Sequence, residues 1–312
     1  MKETVVSVQL PVQESLEIQK NRITSPAGQD CGKRICIITG IHGDELEGQY
    51  LTYRLNQVLQ AHPEHLHGTV DIYPAINPLG INSITRGIPL FDLDMNRVFP
   101  GSENSSMVEH IAHEIIEDIR GADIAIDIHA SNIFLTELPQ VRINVLFEDD
   151  LVPLAKELNV DYIWVHAAAT VLESTLAHSL NSIGTKCLVV EMGVGMRLTR
   201  AYGDQLLEGI LNLMKTQGIW SGETKPVRQP IIGHDAVSFL NATAAGIFIP
   251  EVSHNCTVEK GQVIGVVADP LTGTDVEVIS APESGLLFTL RDYPVVYPGS
   301  LLGRILTGGL EK

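Results

Sequence analysis

Two hydrophobic rhythms alternate over the first two-thirds of the chain. Short apolar runs rich in β-branched residues are RICIITG (34–40), TVDIYPA (69–75), ADIAIDIHA (122–130), RINVLF (142–147), YIWVHA (162–167) and KCLVVEMG (186–193). Between them lie stretches with helical spacing. ELEGQYLTYRLNQVLQ puts Leu51, Leu55, Val58 and Leu59 on one face, and MVEHIAHEIIEDI does the same with Val108, Ile111, Ile115 and Ile119. DLVPLAKELN and DQLLEGILNLMKTQG behave alike. Apolar strands alternating with amphipathic helices predict an α/β fold whose sheet is mixed but largely parallel and is covered by helices on both faces. In such sheets ligands gather beyond the carboxyl ends of the strands.

The rhythm changes after KTQGIWSGETKPVRQP (215–230). From Pro226 onward the pattern is short β-like runs punctuated by Gly and Pro, with no long helical period. This predicts two domains, an α/β unit over residues 1–221 and an all-β unit over residues 222–312.

Composition narrows the function. With 21 basic against 38 acidic side chains the formal net charge is −17, which argues against nucleic acid and against anionic membranes as partners. No apolar run approaches the ~20 residues that cross a bilayer, and the charged, alternating start MKETVVSVQLPVQESLEIQK does not read as an export signal. The four cysteines form no C-x-x-C pair, and Cys36 and Cys187 sit inside apolar runs as small hydrophobes. Together these features predict a protein of the reducing cytoplasm.

The chemistry concentrates at strand ends. In CIITGIHGDELEG the apolar run stops at Thr39-Gly40, and His42, Asp44, Glu45 and Glu47 follow within a few residues. His42-x-x-Glu45 is a two-ligand metal spacing on a tight turn, though a lone motif of this kind is more often a pair of solvated polar residues. His129, at the end of DIAIDI, supplies a third donor at the same sheet edge. Two histidines and one glutamate are the composition of a hydrolytic zinc site. Asp127 shares a strand face with His129 and either orients that imidazole or caps the strand. Glu191 ends KCLVVE, where burial of a carboxylate costs free energy unless it is used. A general base, a fourth ligand and a structural ion pair are its three readings.

GIHGDELEG, DLDMNRVFPG, DIHAS and VVEMGVG, in this order, resemble the succinylglutamate desuccinylase/aspartoacylase family, which is related to the zinc carboxypeptidases. The resemblance runs from about Lys33 to Gly218 and continues into the C-terminal β region. It implies a zinc carboxypeptidase-like fold and one Zn²⁺ per chain on His42, Glu45 and His129. It also implies Glu191 as base and proton donor, Asn96 and Arg97 as anchors of a substrate carboxylate, and Arg86 as the group that polarises the scissile carbonyl. Asp44 and Glu47 are not needed as ligands. The chain departs from the family ahead of Glu191. VLESTLAHSLNSIGTKC has neither the Tyr nor the Arg that hold an acyl-side carboxylate in aspartoacylase, and offers Glu173, Ser174, Thr175 and His178 instead. That points to a smaller acyl group such as acetyl, or to a cationic amine. The C-terminal unit resembles the barrel-sandwich of biotinyl and lipoyl carriers. Its Lys260 lies in a turn without their flanking residues, so the unit is read as a cap on the active site.

The expected function is a zinc-dependent amidohydrolase acting on the amide bond of a small N-acyl amino acid or related amine. A carboxypeptidase-like peptidase and a zinc-binding scaffold without turnover are the alternatives. The acyl group, the amine and any homo-oligomerisation are open at this level.

Overall fold

The computed structural model describes residues 1–167, 173–234 and 236–308. The strands in chain order are β1 (Lys2–Gln9), β2 (Ser15–Thr24), β3 (Arg34–Thr39), β4 (Thr69–Tyr73), β5 (Ile124–Ala130), β6 (Leu135–Asn144), β7 (Tyr162–His166), β8 (Lys186–Gly193) and β9 (Ile231–His234). They continue as β10 (Val237–Asn241), β11 (Gly246–Pro250), β12 (Cys256–Val258), β13 (Val263–Asp269), β14 (Thr274–Ser280), β15 (Gly285–Arg291), β16 (Val295–Val296) and β17 (Leu301–Leu306). The helices are α1 (Glu47–Ala61), α2 (Pro78–Ser83), α3 (Met107–Ile119), α4 (Glu148–Ala155), α5 (Leu176–Ser182) and α6 (Arg200–Thr216).

The main sheet runs β1-β2-β4-β3-β5-β8-β6-β15-β17-β10, with β7 and β9 continuing from β6 and β12 pairing with β15. Its centre, β4-β3-β5-β8, is parallel. Both flanks are antiparallel, through the β1–β2 hairpin on one side and β6 on the other. Strand residues alternate between two cores. Ile35 and Ile37 of β3 pack with Leu51, Leu55 and Leu59 of α1 and with α6, while Cys36 and Ile38 pack with Ile111 and Ile115 of α3 and with Leu176 of α5. Both faces are therefore apolar, and each is covered by helices. The amphipathic patterns read in the sequence correspond to α1, α3, α4 and α6. Helix α3 begins with a capping box in which Ser106 and Glu109 bond reciprocally to backbone N–H groups. No helix among the described residues is long and apolar enough to cross a membrane.

RINVLF behaves differently from the sequence expectation. Strand β6 starts at Leu135 and passes through Pro139, and Val145–Phe147 form a 3₁₀ turn. Pro139 hid the first half of the strand, because a proline inside a run normally argues against a central strand.

The C-terminal strands do not stand apart. β15 pairs with β6, so β15, β17 and β10 extend the main sheet. A second sheet, β14-β13-β11-β16, faces them across a core that includes Phe248, Val258, Val267, Leu287 and Ile305. A smaller apolar cluster of Leu138, Tyr162, Phe288 and Leu306 joins the β unit to β6 and β7.

Candidate active site

The parallel strands β3, β5 and β8 end side by side. Thr39 of β3 is in register with Ile128, and His129 of β5 with Glu191 of β8. Neighbouring strands are ~4.8 Å apart and registered residues point to one face, so pairing alone sets His129 beside Glu191. Beyond β3 the chain turns at Gly40, whose φ of +70° is left-handed, and reaches His42 and Glu45 before α1 begins. Gly43 serves close approach. A Cβ there would lie 1.9 Å from the carbonyl carbon of Gly80 in α2. The Asn77 side chain secures the same contact by capping α2 and donating to the Ile41 carbonyl.

His42, Glu45 and His129 are all buried, and their donor atoms converge so that they could hold a metal ion. The two Nδ1 atoms are 3.3 Å apart, and the Glu45 oxygens lie 2.7 Å from His42 Nδ1 and 3.0 Å from His129 Nδ1. Four-coordinate zinc with bonds of about 2.1 Å separates its ligand atoms by about 3.4 Å, so the histidine spacing fits such an ion. The far side of each ring fits as well. His129 Nε2 is 3.1 Å from Asp127 Oδ2, and His42 Nε2 is 3.0 Å from Asp94 Oδ1. A carboxylate on the outer nitrogen orients the ring and raises the basicity of the inner one. Burial pushes both imidazoles down, but the carboxylates outweigh it and leave both pKa values raised. A metal binds the neutral form of each imidazole, so acid competes with it for these nitrogens.

Glu191 makes an ion pair, one of its three readings. Its Oε1 lies 3.2 Å from Arg142 Nη1. Burial pushes the Glu191 carboxyl up, Arg142 and His129 pull against it, and the net shift is upward. A carboxyl raised by burial beside a cavity is a common setting for proton transfer.

Arg86 donates from Nη1 to Glu45 Oε1 at 2.9 Å and lies 3.4 Å from Asp94 through Nη2. Asn96 is buried and accepts from the Leu176 N–H at the start of α5, while Arg97 is exposed and donates to the Asn96 carbonyl. His42, Glu45, His129, Glu191, Arg86, Asn96 and Arg97, with Thr175 and His178, line one cavity of about 490 Å³. Of the polar residues that precede Glu191, Thr175 caps α5, His178 lies on it, and Glu173 and Ser174 come before it. VLESTLAHSLNSIGTKC begins with residues outside those described. Arg197 does not reach the cavity and pairs with Asp292 at 3.5 Å. Asp44 and Glu47 are buried, and Glu47 accepts from the Thr199 N–H ahead of α6.

Reading residues along the chain missed Asp94, Glu137, Arg142 and Arg304. Asp94 stands within DMNR, where a carboxylate just before the carboxylate-anchoring pair was the available signal. Glu137 and Arg142 lie on the unrecognised strand β6, and Arg304 interrupts the apolar run LLGRIL of β17.

Comparisons with known proteins give the chain a family and its fold a set of neighbours. The family model described as Succinylglutamate desuccinylase/Aspartoacylase catalytic domain matches residues 31–217. N-alpha-acetyl-L-2,4-diaminobutyric acid deacetylase of Halomonas elongata is 26% identical over 247 residues, covering 76% of this chain and 71% of that protein. The product-bound ectoine utilization protein EutE (DoeB) from Ruegeria pomeroyi has a TM-score of 0.82 at 20% identity, over 97% of this chain and 93% of the other. An aspartoacylase family protein from Mesorhizobium loti has a TM-score of 0.81 at 22% identity, over 100% and 95%.

Proposed function

Because the chain belongs to the succinylglutamate desuccinylase/aspartoacylase family, whose members are hydrolases acting on N-acyl amides, we infer that it is a zinc-dependent deacylase of small N-acyl amino acids. One observation carries this reading. Three donor atoms converge on a point that opens into the cavity, with a carboxyl of raised pKa on the adjacent strand.

Each residue has a distinct task. His42, Glu45 and His129 hold the ion, and Asp94 and Asp127 hold the two imidazoles. Zinc, when bound, supplies Lewis-acid polarisation of the amide carbonyl and makes the attacking water more acidic. Glu191 takes the proton from that water and returns it to the nitrogen of the departing amine. Arg86 presents positive charge at the same centre, where negative charge develops on the carbonyl oxygen. Asn96 and Arg97 bind the substrate carboxylate, for which a guanidinium fork is suited.

The substrate is best read as an N-acetyl amino acid with a further amine. The curated relative acts on an acetylated diamino acid. The segment from Glu173 to Glu191 offers neither the Tyr nor the Arg that hold an acyl-side carboxylate in aspartoacylase, so that anchor for a dicarboxylic acyl group is missing. A cavity of about 490 Å³ suits a small acyl-amine.

The test is a screen of N-acetyl, N-succinyl and N-formyl amino acids and diamines with the zinc-loaded protein, scored by released amine. Cleavage of the acetyl diamino acids is expected to lead. Absence of amine from every substrate would favour a zinc-binding scaffold. Preferential release of C-terminal residues from short peptides would favour a peptidase.

A further inference from the structure

Behind Glu191 runs a line of charge that the proposed chemistry does not use. Glu191 pairs with Arg142 at 3.2 Å, and Arg142 Nη2 donates to Glu137 Oε2 at 2.7 Å. Glu137 is fully buried and its other oxygen accepts from Arg304 Nη1 and from Thr289 Oγ1. Both guanidiniums lie over the Trp164 ring, at 5.6 and 5.9 Å. The charges therefore alternate, negative, positive, negative, positive, across a sheet that runs from the α/β unit into the C-terminal β unit. Strand register supports the line. Thr289 of β15 faces Glu137 of β6, and Gln140 of β6 faces Glu191 of β8.

Resting on the reading of Glu191 as the base, we propose that the C-terminal β unit positions it. Arg304 and Thr289 hold Glu137, Glu137 holds Arg142, and Arg142 holds the Glu191 carboxylate at the metal centre. Arg142 and Arg304 are thus positioning residues.

The distances indicate which way the line fails. Arg142 already lies closer to Glu137 than to Glu191. If Arg304 is removed, Glu137 keeps one cation in a buried setting, where an uncompensated charge is costly. Arg142 is then drawn toward Glu137, and Glu191 loses its anchor. The contact from Arg304 to Glu137 uses one nitrogen, so a lysine point charge can largely replace it. A fork would not be replaced in this way.

The experiment compares Arg304→Met and Arg304→Lys in the full chain, in the wild-type and the Glu191→Gln backgrounds. Zinc content, melting temperature, kcat and KM are measured on an N-acetyl diamino acid. In the wild-type background Arg304→Met should lower kcat by about 10–100-fold, the range seen when a partner that orients a working group is lost. KM and zinc content should stay within about 2-fold, and Arg304→Lys should recover most of the rate. In the Glu191→Gln background Arg304→Met should have no further effect on kcat, because no base is left to position.

Equal losses in both backgrounds would make the line structural and overturn the proposal. So would a loss confined to KM, which would place Arg304 on the substrate, or a loss of zinc. If Arg304→Met does not fold, Thr289→Val, which removes one bond to the same carboxylate, enters the same cycle, with a kcat loss of about 3-fold expected in the wild-type background only. An unchanged kcat in that variant would also overturn the proposal. Near-wild-type turnover of Glu191→Gln alone would instead sink the base assignment, so the two failures are distinguishable.

Discussion

Two buried charge clusters lie on the same sheet, one toward each end of its parallel strands. Toward the amino end, Asp71 of β4 accepts from Arg22 at 2.6 and 2.7 Å and lies 3.3 Å from Arg34 and 3.4 Å from Lys20. Lys20 also pairs with Asp118 at 2.6 Å, and Tyr73 donates to the same carboxylate. At the carboxyl end stand His42, Glu45, His129 and Glu191. The first cluster is closed: its carboxylates and cations spend themselves on one another, and none of its side-chain atoms is buried without a partner among the described residues. The second is open. Its inner ring nitrogens converge on a single point facing a cavity, while Arg142 Nε, Asp127 Oδ1 and His178 Nδ1 are buried with no partner among the described residues. Buried charge alone does not mark a working site; unspent valence converging beside a cavity does.

The largest effect expected from the open cluster is on turnover. Glu191→Gln keeps the volume of the side chain but removes the proton acceptor, so kcat should fall by about 10²–10⁴-fold. Zinc content and melting temperature should persist. Loss of zinc would make Glu191 a ligand, and loss of stability without loss of rate would make it a second closed ion pair.

The closed cluster should show the opposite pattern. Asp71→Asn leaves Arg22, Lys20 and Arg34 without their shared carboxylate, and breaking a buried pair costs roughly 3–5 kcal/mol. Chemical denaturation should report that loss while kcat and zinc stay as in wild type. The pH dependence follows from the shift. Burial pushes the Asp71 carboxyl up, but the Arg22 hydrogen bonds and the Lys20, Arg22 and Arg34 charges outweigh it and hold it below the ordinary aspartate range. A depressed pKa stabilises the fold above the unfolded value of about 3.9 and is lost as pH falls through the folded value. The stability gap between wild type and Asp71→Asn should therefore be full near neutrality and shrink only in acid below that range. A gap that grew on acidification would refute this account.

A smaller change sharpens the boundary between the clusters. Asp94→Asn weakens the hold on His42 while leaving every proposed ligand in place. Zinc affinity, read by competition with a chelator, should drop by about 10–100-fold. An unchanged affinity would mean that His42 needs no carboxylate behind it.

The smallest effect concerns binding at the cavity mouth. Arg97→Lys exchanges a fork for a point charge, and the loss of one charged hydrogen bond, about 1.5 kcal/mol, should raise KM roughly tenfold with kcat little changed. If a substrate amide is cleaved by wild type as readily as the acid, Arg97 binds no carboxylate.

Local pattern was enough for much of this protein. The period of Leu51, Leu55 and Leu59 defined α1, and the apolar run Ile35–Ile38 defined a strand buried on both faces, because burial on a helix or sheet imposes a fixed spacing on neighbouring residues. The same reasoning placed His42, Glu45, His129 and Glu191 at strand ends, and parallel pairing then brought three of those ends together. Spacing could not show which groups oppose one another across strands that are distant in sequence. Glu137 meets Arg304 and Thr289 only because β15 and β17 join the sheet beside β6. His42 meets Asp94 only because the loop ahead of Asn96 folds back over the end of β3. Spacing along the chain set most of the elements and the donor types, β6 excepted. Tertiary structure alone decided which carboxylate stands behind which ring and which cation holds Glu191, because those contacts depend on strand order and register and leave no period in the chain.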